Sequence, residues 1–545
     1  MNSLLNKAPQ KISILPLLLG IAAFFLVIGP NALDPTNIAW LQAGDPAQHY
    51  LGWAFFRYSP WTLPLGLNLN YGLDISSSIV YSDSIPLLAI LFKPFSPWLP
   101  EPFQYIGIWY LLCFILQAYF AYALLGLITP NSILKVLGTS FFVLSPIMLW
   151  RVGVHAALTG HFLLLAALYL TLKPNVKHAQ WWWMGLLILA SSLHFYVFMM
   201  IAPICAIPII FKTCNDNIIY SLEFRGLLIK FIWLICISIF LALFMWLLGY
   251  FEVRTIATMN YGIGRINTLG LFDSHGWSYL KWLDLPEVRD ASEPLAREFE
   301  SFVYLGSGLL ICLGFALWGL RYHQVSLKTL LSKYRYLAFA LGCLTLFALS
   351  NQIGIGSWNV TVPLPEKIIS LASILRASAR LFWPVYYALV LLILYVIIRS
   401  YSAKAAIAIL SIGLFIQVAD TSVGWKQTRK VMMHPKASRM GTPLQDPFWE
   451  EAAKRYQKVL VVLPQDGGII DWKVFADYAA KNKLPTNSAY LARYDGQQLQ
   501  IAKAKLLKAV NEGKYDPTAL YILENDKVIP AYQHYNAKTD LLARI

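Results

Sequence analysis

The stretch ISILPLLLGIAAFFLVIGP (residues 12–30) decides what class of protein this chain belongs to. It contains no charged residue, and its length matches the roughly 20 apolar residues that cross a bilayer as a helix. Lys7 and Lys11 precede it, as basic residues precede a signal peptide, but the run is as long as a full span and lacks a small-x-small cleavage site. We therefore predict a retained first transmembrane helix.

The composition extends this prediction to most of the chain. Hydrophobic residues make up 57% of the 545 positions and charged residues only 13%, about half the charged share of a soluble protein. The formal net charge of +15 does not indicate nucleic acid binding, because the basic residues gather in loops predicted on one side of a membrane. The sequence predicts a polytopic α-helical membrane protein.

Further long apolar runs give the predicted number of spans. They cover residues 103–128, 134–150, 156–172, 181–211, 227–250, 301–320, 336–350, 381–399 and 405–420. The run 181–211 is too long for one crossing at 1.5 Å per residue, so we predict two short spans that turn near His194. The run 84–100 is interrupted by Lys93 and several prolines and is predicted to be interfacial or re-entrant. The total is about 11 transmembrane helices.

The distribution of charge predicts the orientation and the domains. Lysines and arginines concentrate in the loops that face the cytoplasm when the N-terminus is cytoplasmic, whereas most acids fall in the opposite loops. We predict a transmembrane domain over 1–420, with long extracytoplasmic loops at 31–102 and 251–300. The polar tail 421–545 alternates strand-like and helix-like segments, VLVVLP (459–464) and ALYIL (519–523) being the strands, which predicts a small extracytoplasmic α/β domain.

The first outer loop contains GDPAQHYLGWAFFRYSP (44–60), which places an acid and a histidine just past the membrane. Asp45 followed by Pro46 suits the start of a helix, where Asp is a favoured N-cap. On that helix His49 lies four residues after Asp45, so both side chains can share one face. Whether Asp45 is a cap or a catalytic group is left open by this pattern alone.

Other polar residues lie at the same predicted side. Asp83 is a candidate second acid, or a turn residue before Pro86. Arg376 and Arg380 in LRASAR are four apart and are expected to share a helix face. Polar residues next to or within apolar spans usually line a cavity or pair with one another, which makes three more candidates for the site: Arg151, His155 and His161.

A cytoplasmic N-terminus, one helix and then a long outer loop with an acid near the membrane resembles the GT-C superfamily of membrane glycosyltransferases. The chain is more closely similar to YfhO-like bacterial membrane proteins, through four segments. These are GDPAQHYLGWAFFR (44–57), IVYSDSIPLLAI (79–90), HAALTGHFLLLAAL (155–168) and LRASARLFWPVYY (375–387). The resemblance implies a bacterial inner-membrane enzyme that transfers a sugar from a polyprenyl-phosphate-linked donor to a glycolipid, polysaccharide or protein.

For such a reaction the residues take distinct predicted roles. Asp45 is the candidate catalytic base, because a partly desolvated carboxylate can accept the proton of the acceptor. Arg376 and Arg380 suit the phosphate of the leaving lipid, since guanidinium groups bind phosphate bidentately. His49 and Asp83 are predicted to contact substrate, with His49 as an alternative ligand of a divalent cation. The acidic pair of better-known GT-C enzymes is absent, because Pro46 follows Asp45.

Two alternatives to an enzyme stay open. The first is a transporter or flippase of lipid-linked glycans, although no internal repeat of the kind common in transporters is visible. The second is a non-catalytic membrane relative whose outer tail binds a partner.

Overall fold

A computed structural model describes residues 13–75, 77–215, 221–253, 261–283, 285, 300–322, 325–464 and 471–536, without the side chains of 211–228, 230 and 525. Lys7, Lys11 and, within the predicted loop 251–300, residues 254–260, 284 and 286–299 lie outside the described residues. The described chain is mostly helical, as predicted. Its α-helices are α1 (Leu15–Val27), α2 (Gly44–Phe56), α3 (Pro86–Phe92), α4 (Ile106–Gly126), α5 (Ser132–Val143), α6 (Pro146–Leu149), α7 (Phe162–Leu172), α8 (Ala179–Leu193), α9 (Phe195–Asn215), α10 (Ser221–Leu247), α11 (Ser307–Tyr322), α12 (Leu327–Lys333), α13 (Arg335–Leu349), α14 (Glu366–Ala372), α15 (Trp383–Ser400), α16 (Ala403–Met432), α17 (Phe448–Arg455), α18 (Trp472–Lys481), α19 (Gly496–Glu512) and α20 (Asn525–Tyr532).

Candidate membrane spans are fewer than predicted. Three helical segments of the described chain are long and apolar enough to cross a bilayer: Ile106–Gly126, Ser378–Ser400 and Ala403–Met432. The helices α12 and α13, bent by 93° at their junction, make a fourth candidate if they count as one span. The prediction of about 11 full spans is therefore far too high by length and composition.

The shortfall comes from breaks that an apolar run does not reveal. The run 134–150 divides where α5 ends and Pro146 starts α6, because proline cannot continue a helix through its missing N–H. The run 156–172 begins with a 3₁₀ turn, Ala156–Thr159, before α7 starts. In contrast, the predicted turn within 181–211 is confirmed: His194 has an extended backbone between α8 and α9.

The C-terminal region has a small sheet between helices. It is distinct from an earlier antiparallel hairpin, which consists of strands β1 (Gln352–Ile355) and β2 (Trp358–Thr361) and precedes α14. Strands β3 (Lys458–Val461) and β4 (Ala519–Ile522) pair in parallel, with Lys458 opposite Ala519. The two strands predicted in the tail are thus both present, and α18 and α19 lie between them in the chain. The helix α16 continues past the predicted boundary at residue 420.

The C-terminal region packs against the first outer loop. Helix α18 contacts α2, and the backbone of Thr486 bonds to the loop, accepting from the N–H of Gly72 at 2.8 Å and of Leu73 at 3.1 Å. The N–H of Ala492 donates to the carbonyl of Tyr81 at 2.8 Å. The loop that carries Asp45 and Asp83 is therefore held between the helical bundle and the tail.

Candidate functional site

Helix α2 places Asp45 in its first turn, not at its cap. The N-cap residue is Ala43, whose extended backbone precedes Gly44, and no side chain caps the helix. The capping role considered for Asp45 is therefore wrong. The carboxylate instead points to His155, with 3.3 Å between Oδ2 of Asp45 and Nε2 of His155, and its side chain remains 32% exposed.

The face of α2 that carries both Asp45 and His49 is turned toward His155. The imidazole of His49, one turn after Asp45, has its ring centroid 6.1 Å from that of His155. His49 is fully buried, and its Nε2 has no hydrogen-bond partner among the described residues. His155 itself lies in the irregular segment between α6 and α7, so this segment and α2 form two walls of one site.

Glu300 joins the site through two buried arginines. Its carboxylate accepts from Arg380 at 2.7 Å and from Arg151 at 3.2 Å, and its carbonyl accepts from Arg151 at 3.0 Å. Its other oxygen lies 3.7 Å from Nε2 of His155. Sequence reasoning missed Glu300, because it lies in an acid-rich loop without periodicity and its partners are far away in the chain.

Asp83, which lies near His49 and His155, also contacts a third histidine. Its Oδ1 lies 3.4 Å from Nε2 of His194, the residue at the break between α8 and α9. Asp83 and Ile85 both have positive φ, 52° and 53°. Such a backbone is costly for a β-branched residue, and strain of this kind clusters at functional sites. The strained turn holds the carboxylate toward the site.

Burial and neighbouring charges separate the pKa values of the carboxylates. Burial raises the pKa of Asp45, and the nearby Asp83 and Glu300 raise it further, against the opposing effect of His155. Burial would also raise the pKa of Glu300, but Arg380 and Arg151 hold it well below its usual value. Asp45 is thus the carboxylate of this cluster that is best suited to gain a proton.

Two further pKa values follow from the same surroundings. Burial would raise the pKa of Asp83, but its hydrogen bond with His194 and the histidine charges around it hold it below the usual range. Burial lowers the pKa of His49 to about 3. His49 is therefore neutral at physiological pH, and an imidazole in that state offers a lone pair to a proton or a metal ion.

The segment LRASAR does not form the expected helix. It consists of two 3₁₀ turns, Ser373–Leu375 and Ser378–Phe382, so Arg376 and Arg380 do not share a helix face. The N–H of Ala377 donates to the hydroxyl of Tyr196 at 2.9 Å, and the N–H of Ala379 to the carbonyl of Gly264 at 2.8 Å. These bonds take the place of helical ones and fix the backbone between the two arginines.

Arg376 lies beside a residue of the C-terminal region. Arg493, in AYLARYDG (489–496), donates from Nη2 to the carbonyl of Ile374 at 2.7 Å, while its Nη1 is buried without a partner among the described residues. Burial and then the charge of Arg376 lower the pKa of Arg493. Both arginines are only partly exposed, and the charge of Arg376 is close enough to act on Arg493 in the other region.

His161 lies apart from Asp45. Its Nδ1 hydrogen-bonds to the hydroxyl of Tyr387 at 2.8 Å, and its ring centroid lies 4.5 Å from that of Trp383. Arg151 contacts the same Trp383, with Cζ 5.2 Å from the ring centroid. His161 is therefore a buried residue that packs on the same tryptophan ring as Arg151.

Three residues of the site could together hold a metal ion. Ligand atoms of His49, Asp83 and His155 all lie within 4.8 Å of one another. They come from α2, from the turn before α3 and from the segment between α6 and α7. Two imidazoles and one carboxylate are a ligand set that proteins use for transition metals.

Comparison with known proteins identifies the family. Residues 17–422 match the family model described as Domain of unknown function (DUF6311), and residues 448–545 match the DUF6311 C-terminal domain. The first match covers more than half of the chain, so the chain belongs to this family. A search of curated proteins gives no significant match. The resemblance to GT-C enzymes stays a prediction.

Proposed function

We propose that the chain is an integral-membrane glycosyltransferase. It would move a sugar from a polyprenyl-phosphate-linked donor to a glycolipid, polysaccharide or protein acceptor on the extracytoplasmic face. The observation that supports this most is the position of Asp45, a partly exposed carboxylate with a raised pKa that is oriented by His155 inside a cluster of otherwise neutralised charges.

The proposed step is a displacement at the anomeric carbon of the donor. The acceptor oxygen forms a bond to this carbon while the bond from the carbon to the lipid phosphate oxygen breaks. The acceptor proton passes to Asp45, and the bonding electrons leave with the phosphate. His155 contacts one oxygen of Asp45, so the other can take the proton, and a pKa raised toward neutral makes a carboxylate a more effective base.

The leaving phosphate gains negative charge, which requires nearby cations. Arg380 is bound to Glu300 at 2.7 Å and is therefore less suited to this role than predicted. Arg376 and Arg493 are partly exposed neighbours, and one nitrogen of Arg493 has no partner among the described residues. We assign the phosphate to these two guanidinium groups, because Arg376 can donate two parallel hydrogen bonds to phosphate oxygens and Arg493 can add one from Nη1.

We also propose that the chain lies in the bacterial inner membrane, with a cytoplasmic N-terminus and an extracytoplasmic C-terminal region. The outer surface of α10 also suits a bilayer: Ile235, Ile239 and Leu243 form a stripe in which each residue is at least 55% exposed. Reporter fusions at Lys333 and Lys454 test the topology. They should report opposite sides, with Lys333 in the cytoplasm, and a common side would contradict the assignment.

A transfer assay tests the function itself. Membrane vesicles with and without the chain receive a polyprenyl phosphate that carries a radiolabelled sugar. We expect the label to move to a membrane lipid, polysaccharide or protein only where the chain is present. Delivery of the intact labelled lipid to the opposite leaflet, without a new covalent product, would instead show a flippase, and no chain-dependent change would exclude both activities for that donor.

A further inference from the structure

We infer that His49, Asp83 and His155 form a binding site for a divalent transition-metal ion of the Zn²⁺ type. Their ligand atoms lie within 4.8 Å of one another. A tetrahedral ion about 2 Å from each ligand atom keeps these atoms about 3.3 Å apart, so side-chain rotations that bring the three groups closer together would enclose it. The site lies beside Asp45, the base of the proposed reaction, but metal binding does not depend on that reaction.

The buried imidazole of His49 is the independent observation that indicates a ligand. Its side chain is 1% exposed, and Nε2 has no hydrogen-bond partner among the described residues. Buried polar nitrogens are almost always paired, since an unpaired one costs about 1–3 kcal/mol. An unpaired imidazole held in this way beside a carboxylate and a second imidazole is suited to coordinate a cation.

The neighbours of the three groups resemble an outer coordination shell. Asp45 and Glu300 both face Nε2 of His155, at 3.3 and 3.7 Å. His194 faces Asp83 at 3.4 Å. Groups of this kind orient metal ligands, and losing one typically weakens metal binding by about 10–100-fold.

The chemistry of the ligands selects among metals. Imidazole nitrogens favour zinc and related transition metals, whereas Mg²⁺ and Ca²⁺ prefer sites made of oxygen atoms. Because the ligands come from three separate segments, a bound ion would also join α2, the loop at Asp83 and the segment at His155. The site should therefore bind Zn²⁺ more tightly than Mg²⁺, and the bound ion should raise the free energy of unfolding.

Metal analysis of the purified full-length chain tests the inference. The chain is treated with EDTA in detergent, incubated with ZnCl₂ or MgCl₂, desalted and analysed by mass spectrometry for bound metal. We expect about one Zn²⁺ per chain, as for a single built site, and little Mg²⁺. Zinc content in His49→Gln and Asp83→Asn should fall at least about tenfold.

A matched control and a second measurement make the result decisive. His275 faces Asp273 at 3.4 Å outside the site, so His275→Gln should keep its zinc. In the unmodified chain, Co²⁺ bound at the site should give the visible absorption bands of an ion with nitrogen and oxygen ligands. Added Zn²⁺ should displace the Co²⁺ and remove these bands. An unmodified chain that binds no Zn²⁺, or site variants that bind as much as the control, would overturn the inference. Zinc binding without sugar transfer would leave the metal site intact and refute the function alone.

Discussion

Two carboxylates in this molecule, Asp45 and Asp420, illustrate different uses of the same side chain. Asp420 in α16 is 4% exposed and accepts hydrogen bonds from the hydroxyls of Ser278, Tyr304 and Ser307 and from the N–H of Leu280. Asp45 is 32% exposed on its side chain and faces the imidazole of His155.

The difference lies in how fully each carboxylate is satisfied. Neutral donors occupy both oxygens of Asp420, and one of these donors, Ser307, joins α16 to the start of α11. Asp45 has one oriented oxygen, an accessible side chain and a pKa raised by burial. A carboxylate saturated by hydroxyls is thus expected to stabilise the fold, whereas one beside titratable groups is expected to react.

The largest expected loss of stability comes from Glu300→Gln. This change leaves Arg151 and Arg380, whose side chains are 2% and 9% exposed, without their counter-charge, and breaking a buried ion pair costs about 3–5 kcal/mol. Equilibrium unfolding in detergent measures the loss. The control is Glu451→Gln, because Glu451 and its partner Lys454 are 72% and 70% exposed, so its loss should cost under about 1 kcal/mol. Equal losses in the two variants would refute this account of Glu300.

A smaller loss of stability is expected from Asp420→Asn. The amide presents a donor where hydroxyls now donate, and each hydrogen bond to a charged acceptor contributes about 1.5–3 kcal/mol. The free energy of unfolding should fall by about 2–3 kcal/mol, while sugar transfer per folded molecule stays unchanged. A variant of normal stability and reduced transfer would show that Asp420 belongs to the reaction.

The pH dependence of transfer should respond to His155. Transfer should rise with pH through the raised pKa of Asp45 and be lost as pH falls below it, because only the ionised carboxylate accepts a proton. His155 lowers the pKa of Asp45, so His155→Gln should move the profile to higher pH and reduce transfer at neutral pH on the order of tenfold. A lower plateau with an unmoved profile would indicate a purely structural role for His155.

The smallest effect is expected from Arg376→Lys. Lysine keeps the charge but loses the planar fork that binds phosphate bidentately, so transfer should fall about five- to tenfold. The rate of sugar transfer should be measured with saturating acceptor and varied donor concentration, since the loss should appear in the dependence of this rate on the donor. His434→Gln, at an exposed position, is the control. Unchanged donor dependence would place the phosphate elsewhere.

Several site residues could be recognised from the sequence because they are polar in apolar surroundings. Asp45, His49, Asp83 and His155 stand out in this way, and the structure brings all four together. Glu300 could not be recognised, since nothing local marks it among other acids. Its role depends on contacts with arginines that lie 149 and 80 residues away.

The arrangement of helices shows where sequence patterns reach their limit. Apolar runs correctly indicated a helical protein, and the excess length of 181–211 predicted the break at His194. The same runs overestimated the spans, because hydrophobicity does not report a 3₁₀ turn such as Ala156–Thr159. Likewise, the spacing in LRASAR favoured a helix, but bonds to Tyr196 and Gly264 from distant segments redirect its backbone.

The most direct test of the central claim compares Asp45→Asn with Asp420→Asn in the same two assays. We expect Asp45→Asn to keep its stability within about 0.5 kcal/mol, because no helix cap is lost. Its transfer of labelled sugar should fall by about 10²-fold or more, because an amide cannot accept the proton. Asp420→Asn should show the reverse pattern. Full transfer by a correctly folded Asp45→Asn variant would contradict the assignment of Asp45 as the base.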